Sequence, residues 1–325
     1  MPQSTYRRFG NTSLKLSPLG LGCWQFSNGG GLIGKFWPTL EPSIINDIVR
    51  TCIEGGINWF DTAEIYGNGQ SEQQLARALR ETLPADAHVH VATKWWPILR
   101  TASSIGRTIN DRSKALEGRK IDLYQVHQPF SFSTVGSEMR EMIKLAEAGK
   151  IEYIGVSNFC AKQMIEADRV LREHGMRLAS NQVKYSLLDR SIEKNGILDT
   201  AKELNAAIIA YSPLAQGILS GKFHDDPLLV KTIKGPRKFG TAFRREGMKR
   251  SKPLIDTMRQ IASHYDATVT QVALNWLIHA HGNTVFAIPG ASKAQHAEQN
   301  VKTLRFKLTV DEINEISEVS KFVIR

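Results

Sequence analysis

Eight times along the chain a short apolar run precedes a stretch of helical periodicity, an alternation that demands parallel strands joined by helical crossovers. The runs are Leu19–Cys23, Ile57–Phe60, His90–Thr93, Ile121–Val126, Ile151–Val156, Ala179–Val183, Ala207–Ala210 and Thr284–Ile288. Helices are predicted over Ser43–Glu54, Ser71–Glu81, Ser103–Leu116, Thr134–Ala148, Ala161–His174 and Ile197–Leu204. Further helices are predicted over Pro253–Tyr265, Val269–Ala280, Lys293–Val301 and Val310–Val319. Eight such units in 325 residues match an α/β fold of the (β/α)8 TIM-barrel type rather than an open sheet. Tyr6–Leu16, with Gly10-Asn11 at its middle, reads as a β-hairpin capping the bottom of the barrel. No domain boundary interrupts the pattern, so residues 1–325 are read as a single domain.

Polar residues then fall at regular stations. Asp61, Lys94, His127, Ser157, Gln182 and Tyr211 each lie at a strand end, at successive intervals of 33, 33, 30, 25 and 29 residues. One βα unit takes roughly 30 residues, so all six are expected at the C-terminal mouth, where barrels place their chemistry. Tyr66 lies just beyond the first station.

Composition narrows the class. With 42% hydrophobic and 23% charged residues the chain is ordinary for a soluble globular protein. No apolar run approaches the roughly 18 residues of a membrane span, and the N-terminus lacks a signal peptide's apolar core. Cys23, Cys52 and Cys160 are too few and too dispersed for a disulfide scaffold or a Cys-based zinc site, so no metal is expected. A cytoplasmic protein with no membrane partner is the expectation.

The net charge of +10 is concentrated. Lys222–Lys252 holds ten Lys/Arg against Asp225, Asp226 and Glu246, and the rest of the chain is nearly balanced. With Gly235-Pro236, Gly240 and Gly247 that segment reads as a long mobile loop. No recognised nucleic-acid module accompanies it, and no nucleic-acid partner is expected.

Asp61, Tyr66, Lys94 and His127 make chemical sense together. A phenol has a reference pKa of about 10, and an ammonium beside it favours the phenolate. An aspartate keeps that ammonium charged and in place, and a histidine can orient a substrate oxygen by hydrogen bonding. The set suits proton transfer to a carbonyl oxygen as hydride reaches its carbon.

The local wording is more specific. Gly20-Leu21-Gly22-Cys23-Trp24, Asp61-Thr62-Ala63-Glu64-Ile65-Tyr66-Gly67, Ala92-Thr93-Lys94-Trp95 and Asp122-Leu123-Tyr124-Gln125-Val126-His127 resemble the aldo-keto reductases. Gly155-Val156-Ser157-Asn158-Phe159, Asn181-Gln182, Tyr211-Ser212-Pro213-Leu214-Ala215-Gln216-Gly217 and Ile288-Pro289-Gly290-Ala291-Ser292 continue the resemblance. The details are most similar to the bacterial branch that includes the potassium-channel beta subunits. The resemblance implies that Tyr66 is the general acid/base, that Lys94 and Asp61 tune it, and that His127 orients the carbonyl. It further implies that Ser157, Asn158 and Gln182 hold the nicotinamide carboxamide and that Tyr211 stacks on the ring. Ser212, Leu214 and Gly217 then follow along the cofactor.

Gly29, Gly31 and Gly34 form a Gly-x-Gly-x-x-Gly string, but it begins several residues after the strand and opens no helix. A Rossmann reading fails on that context. The resemblance instead assigns the adenosine end to Gly290, Ser292, Lys293, His296, Gln299 and Asn300. His296 and Gln299 replace an Arg and a Glu common in the family, and Lys293 and Lys222 offer compensating charge. Arg237 or Arg244 would close over the pyrophosphate. NADP(H) is the expected cofactor, with NAD(H) as the alternative.

Trp24, Trp95, Trp96 and Phe130, with Phe36 and Trp37, suggest aromatic walls for a small-molecule carbonyl or sugar substrate. The functional expectation is an NADP(H)-dependent oxidoreductase reducing aldehydes or ketones, or oxidising sugar or alcohol CH–OH groups. The alternatives are an NAD-linked sugar dehydrogenase, or a redox-sensing regulatory module like the channel beta subunits.

Overall fold

The computed structural model describes residues 6–31, 38–85, 87–232 and 243–323. Gly34, Phe36, Trp37, Gly235, Pro236, Arg237 and Gly240 lie outside them. Eight strands run parallel: β3 (Leu21–Gly22), β4 (Trp59–Asp61), β5 (His90–Trp95), β6 (Ile121–Val126), β7 (Ile151–Ser157), β8 (Leu178–Lys184), β9 (Ala207–Tyr211) and β10 (Val285–Ala287). Each pairs with the next in sequence. Parallel bridges Leu19–Ala287 and Gly22–Gly290 join the two ends, so the sheet closes into a barrel. Closure demands close approach, since a Cβ on Gly22 would stand 2.8 Å from the Ile288 carbonyl oxygen.

The hairpin forms as read. β1 (Arg7–Arg8) pairs antiparallel with β2 (Lys15–Leu16). Its Phe9, Leu14 and Leu16 pack with Trp59, Ala92, Leu123, Ala207, Ile209 and Phe286 from the barrel interior, plugging the N-terminal mouth. The Phe9 and Phe286 rings meet edge to face at 5.0 Å.

Helices α1 (Pro42–Glu54), α2 (Gln70–Thr82), α3 (Ser103–Ala115), α4 (Val135–Glu147), α5 (Ala161–Arg172) and α6 (Ile197–Leu204) follow successive strands. In α1 the buried residues are Ile45, Ile48, Val49 and Cys52, a stripe at helical spacing facing the strands. α8 (Val269–His279), α9 (Ala294–Lys302) and α10 (Val310–Val323) complete the outer layer. Among the described residues no helix is long and apolar enough to cross a membrane.

One region differs from expectation. α7 spans Arg245–His264, eight residues longer at its start than the predicted Pro253–Tyr265. Proline usually opens a helix, because inside one it forfeits the bond to the carbonyl four residues back. Here that carbonyl belongs to Lys249, and both Pro253 and Lys249 are exposed, so water can satisfy it. The basic segment is therefore not one long loop. Lys222–Asp225 forms a helical turn, Pro227–Thr232 a 3-10 turn, and Arg245–Lys252 opens α7.

Candidate active site

Side chains alternate across a strand, and this alternation aims Asp61, Lys94, Gln125 and Gln182 into the upper barrel. The Lys94 ammonium and Asp61 carboxylate are wholly buried and meet at 2.5 Å. Buried charges persist only when every lone pair and proton is answered. Lys94 Nζ also donates to the Thr62 carbonyl at 2.8 Å and hydrogen-bonds the Tyr66 hydroxyl. The second Asp61 oxygen accepts from Gln125 Nε2 at 3.1 Å and Gln182 Nε2 at 2.9 Å. Asp61, Lys94 and Tyr66 thus form one chain of polar contacts ending at a phenol.

Burial pushes the Tyr66 phenol upward, and Lys94 pulls it down without prevailing. This corrects the expectation of a lowered phenol: desolvation of the phenolate outweighs the neighbouring ammonium. Burial also works against the Lys94 ammonium, but Asp61 and Tyr66 hold it above the ordinary lysine range. His127 is held well below the ordinary imidazole range, by burial first and by Lys94 second. It is a neutral imidazole at pH 7, able to donate one hydrogen bond.

A second polar network fixes the loop that carries Tyr66. Glu64 accepts from the Trp96 backbone N–H at 2.5 Å and from Arg100 at 2.7 Å. It also pairs with Arg112, whose Nε lies 2.8 Å from Glu72. Glu72 in turn accepts from Thr93 Oγ1 at 2.6 Å, beside Lys94. Above Tyr66, Trp24 stacks at 5.8 Å between centroids, and His127 meets the phenol ring edge-on at 5.6 Å. Trp96 also meets His127 edge-on, at 5.3 Å between centroids.

Trp24, Asp61, Tyr66, Trp96 and His127 line a cavity of about 580 Å³ at the C-terminal mouth. The same cavity is lined by Ser157, Asn158, Gln182, Tyr211, Ser212, Leu214, Gly217, Lys222, Gly290, Ser292, His296, Gln299 and Asn300. Tyr211 donates to Asn158 Oδ1 at 3.1 Å, and Ser157 Oγ donates to the Gln182 carbonyl at 2.8 Å. Asn300 is buried, yet among the described residues its Nδ2 has no partner, and neither has His127 Nδ1. At the outer end His296 is held low, by burial first and then by Lys222 and Lys293.

Several expected residues lie elsewhere. Trp95 is fully buried behind the strand, its indole N–H donating to Ser104 Oγ of α3 at 3.0 Å. β5 continues through Trp95, so Lys94 facing inward turns Trp95 outward, and the expected substrate contact is withdrawn. Phe130 is 67% exposed and outside the cavity wall. Lys293 is exposed at the start of α9, acting on His296 by charge rather than lining the cavity. Arg244 is exposed at the N-cap of α7, also outside the wall. Gln25, Gln128 and Thr270 line the cavity without having been singled out. Gln25 packs so tightly on Gly290 that a Cβ there would stand 2.3 Å from its amide. Gln125 could have been found by strand parity, two residues before His127.

The family model described as Aldo/keto reductase family matches residues 18–321. An uncharacterized oxidoreductase of Mycobacterium bovis is 35% identical over 307 residues, covering 94% of this chain and 90% of its own. Among solved structures, the glycerol dehydrogenase from Gluconobacter oxydans is similar at a TM-score of 0.85 and 27% identity, covering 99% of this chain and 97% of that one. An aldo/keto reductase from Klebsiella pneumoniae, solved with NADP and acetate, is similar at a TM-score of 0.73 and 25% identity, over 98% and 95% of the two chains.

Proposed function

The chain belongs to the aldo/keto reductase family of oxidoreductases, and from that premise we propose that it interconverts carbonyl and hydroxyl groups on small molecules using NADP(H). The observation that carries the proposal is the buried Asp61–Lys94–Tyr66 chain, which ends at a cavity wall beside a neutral His127. The polar atoms of Asn300 and His127 left without partners fit a site completed by a polar ligand.

Ser157, Asn158 and Gln182 would hold the cofactor's carboxamide, and Tyr211 its nicotinamide face. Ser212, Leu214 and Gly217 would run beside it, with Gly290, Ser292, Lys293, His296, Gln299 and Asn300 at the adenosine end. A bound nicotinamide would supply the hydride to, or accept it from, the substrate carbon. Tyr66 donates the proton to the carbonyl oxygen in reduction and removes it in oxidation. His127 orients that oxygen with its imidazole N–H, and Trp24 and Trp96 exclude water from it. Lys94 keeps the departing charge on Tyr66 compensated, and Asp61 keeps Lys94 in place.

The phosphate preference rests on charge: Lys222 and Lys293 both act on His296, an outer end suited to an extra phosphate. The Klebsiella reductase solved with NADP supports the same choice. The glycerol dehydrogenase among the similar structures brings polyols into the substrate range beside aldehydes and ketones.

Steady-state assays with NADPH and NADH against a panel of aldehydes, ketones, sugars and polyols test the proposal. Turnover with NADPH is expected, and Lys222→Ala should weaken NADP binding by about 1.5–3 kcal/mol while leaving NAD binding nearly unchanged. No turnover with any carbonyl or polyol would overturn the proposal, and equal affinities for the two cofactors would overturn its phosphate preference.

A further inference from the structure

The N-terminal mouth, opposite the cavity, carries a cluster that the proposed chemistry does not use. His88 and His90 are two residues apart, so their side chains fall on one side of the extended chain entering β5. Their rings stand 4.7 Å apart at 87°. Asp122, near the start of β6, places Oδ1 2.9 Å from His90 Nδ1, while its other oxygen accepts from the Val91 N–H at 2.8 Å. One ligand atom from each of His88, His90 and Asp122 falls within 4.8 Å of the others. Among the described residues this is the one group of three or more His, Cys, Asp or Glu side chains so gathered.

We propose that His88, His90 and Asp122 bind a divalent transition-metal ion of the Zn²⁺ class. Two imidazoles and a carboxylate suit Zn²⁺, Cu²⁺ or Ni²⁺, whereas Mg²⁺ and Ca²⁺ prefer sets of oxygen ligands. Bond lengths of about 2.0–2.2 Å require the ligand atoms to draw closer than they stand. Exposed His88 has room to supply that movement, and buried Asp122 is already fixed by Val91. Lys120, which feels the Asp122 charge, is paired with Glu152. Water completes the coordination from the open side.

The ion would join the entrances of β5 and β6. His90 precedes Lys94 by four residues, roughly 13 Å along the strand, so the ion acts on the barrel's stability rather than on the reacting atoms.

Calorimetric titration of the metal-free protein with ZnCl₂ and separately with MgCl₂, alongside thermal melts, tests the site. One Zn²⁺ per chain is expected, with a melting rise of about 5 °C at saturating ion and no response to Mg²⁺. His88→Ala should weaken Zn²⁺ binding by at least about tenfold with unchanged melting in chelator. Cobalt substituted for zinc should give visible absorption that His88→Ala alters. Absence of zinc binding overturns the site, as does binding that survives both His88→Ala and His90→Asn unchanged. Should His90→Asn fold poorly, exposed His88 decides alone.

Discussion

Burial and Lys94 pull the Tyr66 phenol in opposite directions, and burial prevails. The phenol therefore stays protonated throughout the neutral range, and reduction should hold a level rate until pH passes the ordinary phenol value, then fall. Oxidation needs the phenolate and should climb with pH over the same interval. Lys94→Met removes the downward pull, so the oxidation profile should move to higher pH and kcat should drop. It also leaves Asp61 buried without its counter-ion, at a cost of about 3–5 kcal/mol in folding stability. Profiles of kcat against pH in both directions, with chemical denaturation of the variant, check both effects. At this scale the tetrad was legible because each member sits at or just beyond a strand end. Trp95 was not, because a run of apolar letters does not reveal where a strand stops and hence which face a residue takes. Glu64, Glu72 and Arg112 were not legible either, since their meeting depends on how the β4–α2 loop and the first turn of α2 pack against α3.

Two elements carry features that a substitution can weigh. Pro253 interrupts the backbone bonding of α7 at an exposed position. Pro253→Ala restores the missing donor, and it should stabilise the protein by about 1–3 kcal/mol, read from denaturant midpoints. In the first turn of α4, burial raises the Glu138 carboxyl from 4.5 to about 7, against a hydrogen bond from Ser131. A raised folded pKa means the folded state binds the extra proton. Stability from this group is full below pH 4.5 and is lost as pH rises through about 7. Glu138→Gln should therefore add stability at pH 8, on the order of 1–3 kcal/mol, and none at pH 4.5. Melts at the two pH values decide it. Most helices were legible from apolar spacing, as in the Ile45, Ile48, Val49 and Cys52 stripe of α1. The start of α7 was hidden because Gly247, Pro253 and dense positive charge all argue locally against helix, whereas Met248 packs on the Ile218, Phe223 and Phe243 cluster and Ser251 hydrogen-bonds His224, contacts that only the tertiary fold supplies.

Across the whole molecule the barrel divides its labour between its mouths. The hairpin plugs one with Phe9, Leu14 and Leu16, and the other opens as a cavity over a buried ion pair. The eightfold alternation made that architecture readable, because parallel strands have few other ways to bury both faces. The central claim is that the phenol of Tyr66 carries the proton. Tyr66→Phe keeps the ring against Trp24 and His127 but removes the hydroxyl that Lys94 contacts. Single-turnover oxidation of bound NADPH by a reactive aldehyde, with NADPH affinity and melting temperature measured on the same samples, isolates that proton. The expected result is a rate lower by about 10²–10⁴, with affinity and melting nearly unchanged. A variant that keeps near-parental turnover, or loses it only in step with its melting temperature, would contradict the assignment.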